Sequence, residues 1–158
     1  MGRVYLTKEG YEKIRSELER LQTKERPVVI KAIATAREFG DLSENAEYHA
    51  AKEQQGLAEA RIRDIEAKLS NAHIIEIENI NAAGKVVFGA TVHLANLDND
   101  EEMRYQLVGE DEADIKSGLL SIGSPIARAL IGKEEGDEVE VETPGGELNY
   151  EITSVEYI

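Results

Sequence analysis

The sequence contains no cysteine and no tryptophan, and it has only two phenylalanine and three proline residues. Without cysteine, the chain can form neither disulfide bonds nor thiolate metal sites. No apolar run approaches the roughly 18 residues needed to cross a membrane, and the N-terminal residues lack the apolar core of a signal peptide. We therefore expect a soluble, cytoplasmic protein that makes no membrane contact.

The charge is unevenly distributed along the chain. The formal net charge is -14, and a protein with such a charge is ordinarily repelled by the phosphates of nucleic acid. Residues 1–72, however, contain 13 basic and 13 acidic residues, whereas residues 73–158 contain 5 and 19. The first part of the chain can therefore approach a phosphodiester, and the second part is expected to avoid it.

The first part of the chain has the apolar spacing of two paired helices. From Thr7 to about Ala72, apolar residues recur at steps of three and four. Pro27 interrupts the first stripe because its ring clashes with the preceding helical turn. The first stripe consists of Tyr11, Ile14, Leu18 and Leu21, then Val29, Ile33 and Ala36. The second consists of Ala51, Gln55, Ala58, Ile62, Ile65, Leu69 and Ala72.

Two stripes of similar width predict an antiparallel coiled-coil hairpin over residues 1–74. Its turn is expected near Gly40, where a helix end needs a left-handed residue. A continuous helix over residues 44–72 would extend about 40 Å at 1.5 Å per residue. We therefore expect the turn to project from the hairpin.

Residues 75–158 change to the alternating pattern of strands. One short helix is expected, with Ser124 as N-cap, Pro125 in the first turn and Gly132 after its end. The expected strands include Ile75 and Ile77, residues 86–88, 91–94, 105–108 and 139–142, and a last arm through Tyr150, Ile152 and Val155. This pattern predicts a small antiparallel β domain with one short helix, so the fold class is α+β.

The predicted turn contains two carboxylates, Asp41 and Glu44. Their spacing is that of a capping box at the start of the second helix, and on pattern alone this structural role is favoured. Ser43 could cap that helix equally well. A pair of carboxylates on a projecting turn also suits Mg²⁺, which usually takes one or two protein carboxylates and keeps several waters. Such a pair would need a partner to complete the metal site.

The residues around this turn resemble a known motif. Residues 40–48 (GDLSENAEY), followed by residues 49–55 (HAAKEQQ), are similar to the tip of the Gre transcript-cleavage factors. The similarity continues through residues 59–62, 87–92, 108–114 and 121–127, and so covers essentially the whole chain.

The resemblance implies that the coiled coil enters the secondary channel of a backtracked bacterial RNA polymerase. There Asp41, assisted by Glu44, would help to retain a second Mg²⁺ held jointly with the polymerase, which then hydrolyses the extruded 3′ end of the RNA. The C-terminal domain would be FKBP-like and would dock on the rim of the channel. By the same resemblance, the chain is an accessory factor with no cleavage activity of its own, and we expect a monomer when it is free.

The resemblance also implies roles for residues outside the acidic pair. Arg37 and Lys52 would contact RNA, although a cation at a helix end is an alternative role for Arg37. Phe39 and Tyr48 are expected to close the hairpin as an apolar pad more readily than to stack on bases. The polymerase-docking candidates are Ser121, Ser124 and Pro125, for which a loop with a helix cap is an equally good interpretation.

Two other functions fit parts of the sequence. An FKBP-like domain suggests a peptidyl-prolyl isomerase. A pocket that binds proline, however, is expected to be lined by aromatic side chains. Residues 73–158 supply only one phenylalanine and three tyrosines as aromatic side chains. The second alternative is a coiled-coil adaptor whose turn is purely structural.

Overall fold

The computed structural model describes residues 3–40 and 44–158, and contacts divide the chain into two compact units. One unit contains residues 12–72, and the other contains residues 3–11 together with residues 73–158. Within the described residues, no helix has the length and apolar character needed to cross a membrane.

The first unit is a helical hairpin, which confirms the first half of the predicted α+β fold. Its helices are α1 (Lys8–Arg20), α2 (Arg26–Arg37) and α3 (Ala46–Ser70), and α2 packs along α3. The buried apolar residues come from the two predicted stripes: Ile14, Leu21, Val29, Ile33 and Ala36 on one side, and Ala51, Ile62 and Ile65 on the other.

A π-helical turn over Leu21–Glu25 joins α1 to α2. The backbone N–H of Arg26 donates to the carbonyl of Leu21, the i→i+5 bond of a π-helix. From Leu21 to Val29 the apolar stripe advances eight residues, about one more than two α-helical turns of 3.6 residues each. The π turn supplies this extra residue, so both parts of the stripe face α3. Pro27 then lies in the first turn of α2, directly after the π turn.

Two bidentate ion pairs cross the hairpin. Arg26 donates through Nε and Nη2 to the carboxylate of Glu59 at 2.7 and 2.9 Å, and Arg61 donates to Glu17 at 2.8 and 2.9 Å. The hydrogen bonds from Arg26 lower the pKa of Glu59 and raise the pKa of Arg26 itself. Bidentate pairs of this kind have a defined geometry, so they fix the register of the helices more than isolated charges would.

The second unit contains a two-stranded and a five-stranded sheet. Strands β1 (Val4–Thr7) and β2 (Ala72–Ile75) form the first. The second has the order β5-β4-β3-β7-β6. Its strands are β3 (Thr91–Asn96), β4 (Glu102–Val108), β5 (Leu119–Ser121), β6 (Glu138–Thr143) and β7 (Gly146–Glu156), and helix α4 (Pro125–Leu130) packs against β6.

One face of the five-stranded sheet forms the core of the second unit. Val92, Leu94, Leu107, Leu130 and Ile152 are at most 1% exposed. The opposite face is polar, because strand residues alternate between the two sides. Its rows include Arg104 opposite His93 and Gln106 opposite Thr91.

The predicted hairpin near the end of the chain is confirmed as β6 and β7. Three details of the predicted β domain are wrong. Residues 86–88 are irregular: Val86 is buried, and its backbone bonds to Gly132 and Lys133 rather than to a strand. Ile77 begins a 3-10 turn. Strand β5 pairs in parallel with β4, so the sheet is mixed rather than antiparallel. The expected likeness to FKBP stays a prediction.

A buried acid lies at the start of α1. The Thr7 hydroxyl donates to Glu112 at 2.5 Å and accepts from the backbone N–H of Gly10 at 3.0 Å, so Thr7 caps the helix as it binds the acid. Thr7 is fully buried and Glu112 is 6% exposed. A Cβ on Gly10 would lie 2.4 Å from Oε2 of Glu112. Gly10 therefore leaves the space that the carboxylate occupies.

Two glycine-to-alanine substitutions should have opposite effects on stability. Gly10→Ala would displace Glu112 and break its bond to Thr7, so we expect the free energy of unfolding to fall by about 1 kcal/mol, even after the gain in helix propensity. Gly56→Ala lies within α3 with open space around it, and should raise the same quantity by about 0.5–1 kcal/mol. Denaturant unfolding monitored by circular dichroism measures both, and equal shifts would contradict the role of Glu112.

Candidate functional site

The turn of the hairpin begins where α2 ends. Beyond Arg37, the backbone N–H groups of Glu38, Phe39 and Gly40 each donate to a carbonyl three residues earlier, at 3.1–3.4 Å. Gly40 has φ of +99°, the conformation that favours glycine at a helix end. The predicted position of the turn is confirmed.

Asn45 organises the start of α3 and ties it to α2. Its Oδ1 accepts from the backbone N–H of Tyr48 at 3.0 Å, which makes Asn45 the N-cap. Its Nδ2 donates to the carbonyl of Ala36 at 2.7 Å, which also accepts from the backbone N–H of Phe39 at 3.1 Å. Helix α3 is therefore capped by Asn45, which the sequence pattern did not single out; of the predicted caps, Asp41 and Ser43 lie outside the described residues. Sequence reasoning missed Asn45 because Asp-x-x-Glu fits the familiar capping pattern and Asn-x-x-Tyr does not.

The two hydrogen bonds of Asn45 can be separated by substitution. Asn45→Ala removes both and should lower the free energy of unfolding of the hairpin by about 1–2 kcal/mol. Asn45→Asp keeps a capping oxygen and loses only the donor to Ala36, so we expect a smaller loss, about 1 kcal/mol or less. Native-state hydrogen exchange of the first turn of α3 reports the change directly. Equal losses in the two variants would show that the cap itself contributes nothing.

Glu44 is exposed directly before this cap. No hydrogen bond or ion pair joins its carboxylate to another described residue. It lines an open depression with Phe39, Asn45, Ala46 and Glu47. Glu47 is thus a further acid beside Glu44 that sequence reasoning did not single out. Asp41 lies outside the described residues.

The acids at this turn suit Mg²⁺ only in part. Carboxylate oxygens are the hard ligands that the ion prefers, and one or two of them suffice when a partner supplies the remaining ligands. In the described parts of the chain, no three His, Asp or Glu side chains gather closely enough to hold a metal alone. Among the described residues, the acids at the turn therefore could contribute only part of a metal site, and a Mg²⁺ site shared with a partner stays a prediction.

A cation and an aromatic ring meet across the hairpin near the turn. The guanidinium carbon of Arg37, the last residue of α2, lies 5.9 Å from the centroid of the Tyr48 ring. Tyr48 is half-buried against Val29, Ile33 and Ala51, which confirms its predicted packing role. Phe39, expected to join the same pad, is 70% exposed instead.

Lys52 lies one helical turn beyond Tyr48, on the same face of α3. Its Nζ donates to Oε1 of Gln55 at 3.2 Å, and among the described residues it has no acidic partner. Tyr48 thus contacts Arg37 and lies one helical turn from Lys52, so Arg37, Tyr48 and Lys52 are neighbours near the turn; contact of the two cations with RNA stays a prediction. We call these three residues the basic face.

The polymerase-docking candidates occupy the loop before α4. Ser121 accepts from the backbone N–H of Gly123 at 3.2 Å, and Ser124 accepts from that of Ala127 at 3.2 Å as the N-cap. Pro125 is in the first turn of the helix. The interpretation as a loop with a helix cap is confirmed, and docking stays a prediction.

Both parts of the chain match known protein families. Residues 4–74 match the family described as "Transcription elongation factor, N-terminal", and residues 81–157 match "Transcription elongation factor, GreA/GreB, C-term".

Whole-chain relatives carry the same description. "Transcription elongation factor GreA" of Alkalilimnicola ehrlichii is 64% identical over 157 residues, 99% of each chain. The protein with the same description in Thioalkalivibrio sulfidiphilus is 61% identical over 158 residues, 100% of each chain. A solved structure of "GreA factor homolog 1 (Gfh1) protein of Thermus thermophilus" is 30% identical, covers 98% of this chain and 99% of that one, and gives a TM-score of 0.44.

Proposed function

The chain belongs to the Gre family of transcription elongation factors, and on that premise we propose that it stimulates RNA polymerase to cleave backtracked RNA. The hairpin would enter the secondary channel of the polymerase and bring its acidic turn to the extruded 3′ end. The observation that supports this proposal best is the exposed carboxylate of Glu44. Because Asn45 caps α3 and bonds it to α2, the carboxylate of Glu44 is not needed to cap the helix.

Asp41 and Glu44 would act as incomplete ligands that the polymerase completes. The Mg²⁺ ion, when bound jointly, would supply positive charge that lowers the pKa of a bound water and stabilises the leaving oxygen. Asp41 is proposed as the principal ligand, and Glu44 as a ligand or as the acceptor of a proton from the water. The water oxygen then bonds to phosphorus as the bond to the leaving 3′ oxygen breaks.

The basic face is proposed to hold the extruded RNA. Arg37 and Lys52 would bind phosphate oxygens, since both are exposed and neither is paired with an acid among the described residues. The ring of Tyr48 is covered on one side by Arg37 and on another by the core of the hairpin. We therefore assign Tyr48 a supporting role for Arg37 rather than base stacking.

The second unit is proposed to dock on a basic surface of the polymerase. Strands β6 and β7 place Glu138 opposite Glu151 and Glu142 opposite Glu147. Like charges directly opposite each other destabilise a sheet, and a cationic partner would relieve that repulsion. Ser121, Ser124 and Pro125 are proposed as further contacts with the polymerase.

Docking through opposite charges makes the affinity for polymerase depend on salt. We expect the dissociation constant to rise about tenfold or more between about 50 and 300 mM NaCl, because salt screens exposed charges. Fluorescence anisotropy of a labelled chain titrated with polymerase measures this constant. An affinity that does not change with salt would rule out docking through charge.

The central experiment compares purified, backtracked elongation complexes with and without the chain. We expect the chain to accelerate release of the 3′ RNA fragment relative to the polymerase alone. The same RNA incubated with the chain and Mg²⁺, but without polymerase, should stay intact. Cleavage of that free RNA would show that the chain is itself a nuclease, and would contradict the accessory role.

A further inference from the structure

Strand β6 forms an open edge of the five-stranded sheet. Its six residues, Glu138–Thr143, pair with β7 on one side, and on the other side no described strand pairs with them. At the opposite end of the sheet, β5 has only three residues. An open edge presents unpaired N–H and C=O groups that can bind another strand. The edge of β6 is therefore the longer of the two places at which this sheet could accept one.

The pairing of β6 with β7 determines which backbone groups face the open side. The N–H of Ile152 donates to the carbonyl of Asp137 at 2.9 Å, so residue 137 directs its carbonyl toward β7. In an antiparallel ladder this direction alternates from one residue to the next. In β6, the residues that bond to β7 therefore alternate with three that do not. The N–H and C=O groups that point away from β7 belong to Glu138, Glu140 and Glu142.

The same three residues carry the negative charge of the edge. Glu138, Glu140 and Glu142 are exposed, whereas Val139 and Val141 between them are buried. Because side chains alternate between the two faces of a sheet, the three carboxylates lie in one row on the polar face. None of them forms an ion pair with a described cation. The open edge thus combines unpaired backbone groups with a row of negative charge.

Acids of β7 extend this negative surface. Glu151 lies opposite Glu138, and Glu147 lies opposite Glu142. Neither of these two acids pairs with a described lysine or arginine. A cationic side chain placed beside β6 would therefore be attracted by both rows of carboxylates.

The charge of the edge argues against a second copy of this chain as its partner. Pairing two β6 strands would place the glutamates of one copy beside those of the other, which is destabilising. Charged side chains on an open edge have this protective effect in many sheets. The same row attracts a strand of opposite charge. Protection against self-association is therefore compatible with binding of a cationic strand.

We propose that the edge of β6 binds an extended segment of a partner protein that carries lysine or arginine at every second position. The segment would add to the sheet as a sixth strand, with its backbone bonded to the three outward-facing glutamate residues. Its cations would lie on the polar face, because directly paired residues of neighbouring strands place their side chains on the same face. About six residues, or about 20 Å of extended chain, would cover the edge.

This interaction goes beyond the proposed function of the chain. It requires neither Mg²⁺ nor the acidic turn, so it is independent of RNA cleavage. It also differs from docking of the second unit through charge alone, which requires only side chains. The salt dependence of polymerase binding tests docking through charge, whereas strand addition requires hydrogen bonds from the backbone. The two proposals can therefore fail separately.

Strand addition can be tested by NMR on the full chain with synthetic peptides. The probe is a peptide of about seven residues with blocked ends, in which lysine and valine alternate. We expect saturable binding with a dissociation constant of about 0.1–1 mM. Hydrogen exchange of the backbone amides of Glu138, Glu140 and Glu142 should become slower when the peptide is bound, because these groups gain hydrogen-bond partners.

Two control peptides separate the strand from its charge. A peptide of the same composition with its lysines grouped has the same net charge but cannot place them all on one face. We expect it to bind at least about fivefold more weakly. The alternating peptide with methylated backbone nitrogens keeps every side chain and loses its N–H donors. It should also bind at least about fivefold more weakly.

Two substitutions at one position make the same separation within the chain. Glu140→Gln removes the charge and keeps the N–H, and should weaken binding of the alternating peptide about twofold to threefold. Glu140→Pro also removes the N–H, which the ladder with β7 does not use, and should weaken binding at least about tenfold. As a control, Glu102→Gln removes an exposed charge from β4, three strands away. It should change binding by less than about 1.5-fold.

Equal binding of the alternating and grouped peptides would show that charge alone attracts them, and would overturn strand addition. Equal binding by the Glu140→Pro and Glu140→Gln variants would overturn it as well. If Glu140→Pro disturbs the fold, the methylated peptide tests the same backbone bonds without changing the chain, and undiminished binding of that peptide would contradict the proposal. Sedimentation of the chain alone gives the remaining outcome. A dimer that Glu140→Pro abolishes would make a second copy the occupant of the edge, contrary to the proposal.

Discussion

The double substitution Asp41→Asn with Glu44→Gln is expected to reduce stimulated RNA cleavage by about 10²–10³-fold. Both changes keep the shape of the side chain and remove its charge. The loss corresponds to about 3–4 kcal/mol of transition-state stabilisation, within what a catalytic metal ion supplies. Affinity for the polymerase should stay within about twofold, because docking is proposed to involve the second unit. Rates of fragment release from backtracked complexes, measured at saturating factor, test the prediction.

A matched control is available at the same turn. Glu47 lines the same depression as Glu44, within the first turn of α3. Glu47→Gln removes one negative charge there, and we expect cleavage to fall by less than about threefold. If Glu47→Gln reduced cleavage as much as the double variant, general negative charge at the turn would be responsible. The specific roles of Asp41 and Glu44 would then be wrong.

The second large effect is expected in the packing of the hairpin. Ile65 is fully buried in α3, whereas Leu57 on the same helix is 68% exposed. Ile65→Ala should lower the free energy of unfolding by about 2–5 kcal/mol, because it removes buried methyl groups and leaves a cavity. Leu57→Ala should change it by less than about 0.5 kcal/mol.

Hydrogen exchange of the α3 amides distinguishes this loss from unfolding of the second unit. Cleavage by Ile65→Ala should fall as temperature rises and the hairpin unfolds, and should recover on cooling. Equal stability of the Ile65 and Leu57 variants would contradict the described packing of the helices.

The sequence predicted the helical unit better than the sheet unit, for a physical reason. A helical stripe repeats over many turns, so one polar position such as Gln55 does not hide the period. Even the π turn is visible in retrospect, as the eight-residue step from Leu21 to Val29. A short strand offers only two or three alternations, and a buried loop shows the same apolar residues. Val86 was therefore mistaken for part of a strand.

Strand β5 shows a second limit of local pattern. It has only three residues, Leu119–Ser121, and it pairs in parallel with β4. Parallel pairing depends on how the chain returns to the sheet, which no period within the strand encodes. The predicted antiparallel sheet was therefore wrong at this edge.

At the candidate site, the sequence predicted which residues to single out, but it did not predict which residue caps the helix. Glu44, Arg37 and Lys52 were singled out before the structure, and the hairpin places the two cations on one face. The role of Asn45 depends on a carbonyl nine residues earlier, at Ala36. Such a bond exists only once both helices are paired. Capping by Asn45 means that Glu44 is not needed to start α3, and the metal-binding role of the acidic pair stays a prediction.

The dependence of cleavage on Mg²⁺ concentration tests the central claim most directly. If the acidic turn helps to retain a metal ion, the wild-type chain should lower the Mg²⁺ concentration that gives half-maximal cleavage by backtracked polymerase. The Asp41→Asn and Glu44→Gln double variant, bound to the same complexes, should leave that concentration at the value for polymerase alone. If the double variant lowered it as much as the wild-type chain does, the acids would not be metal ligands and the account would be wrong.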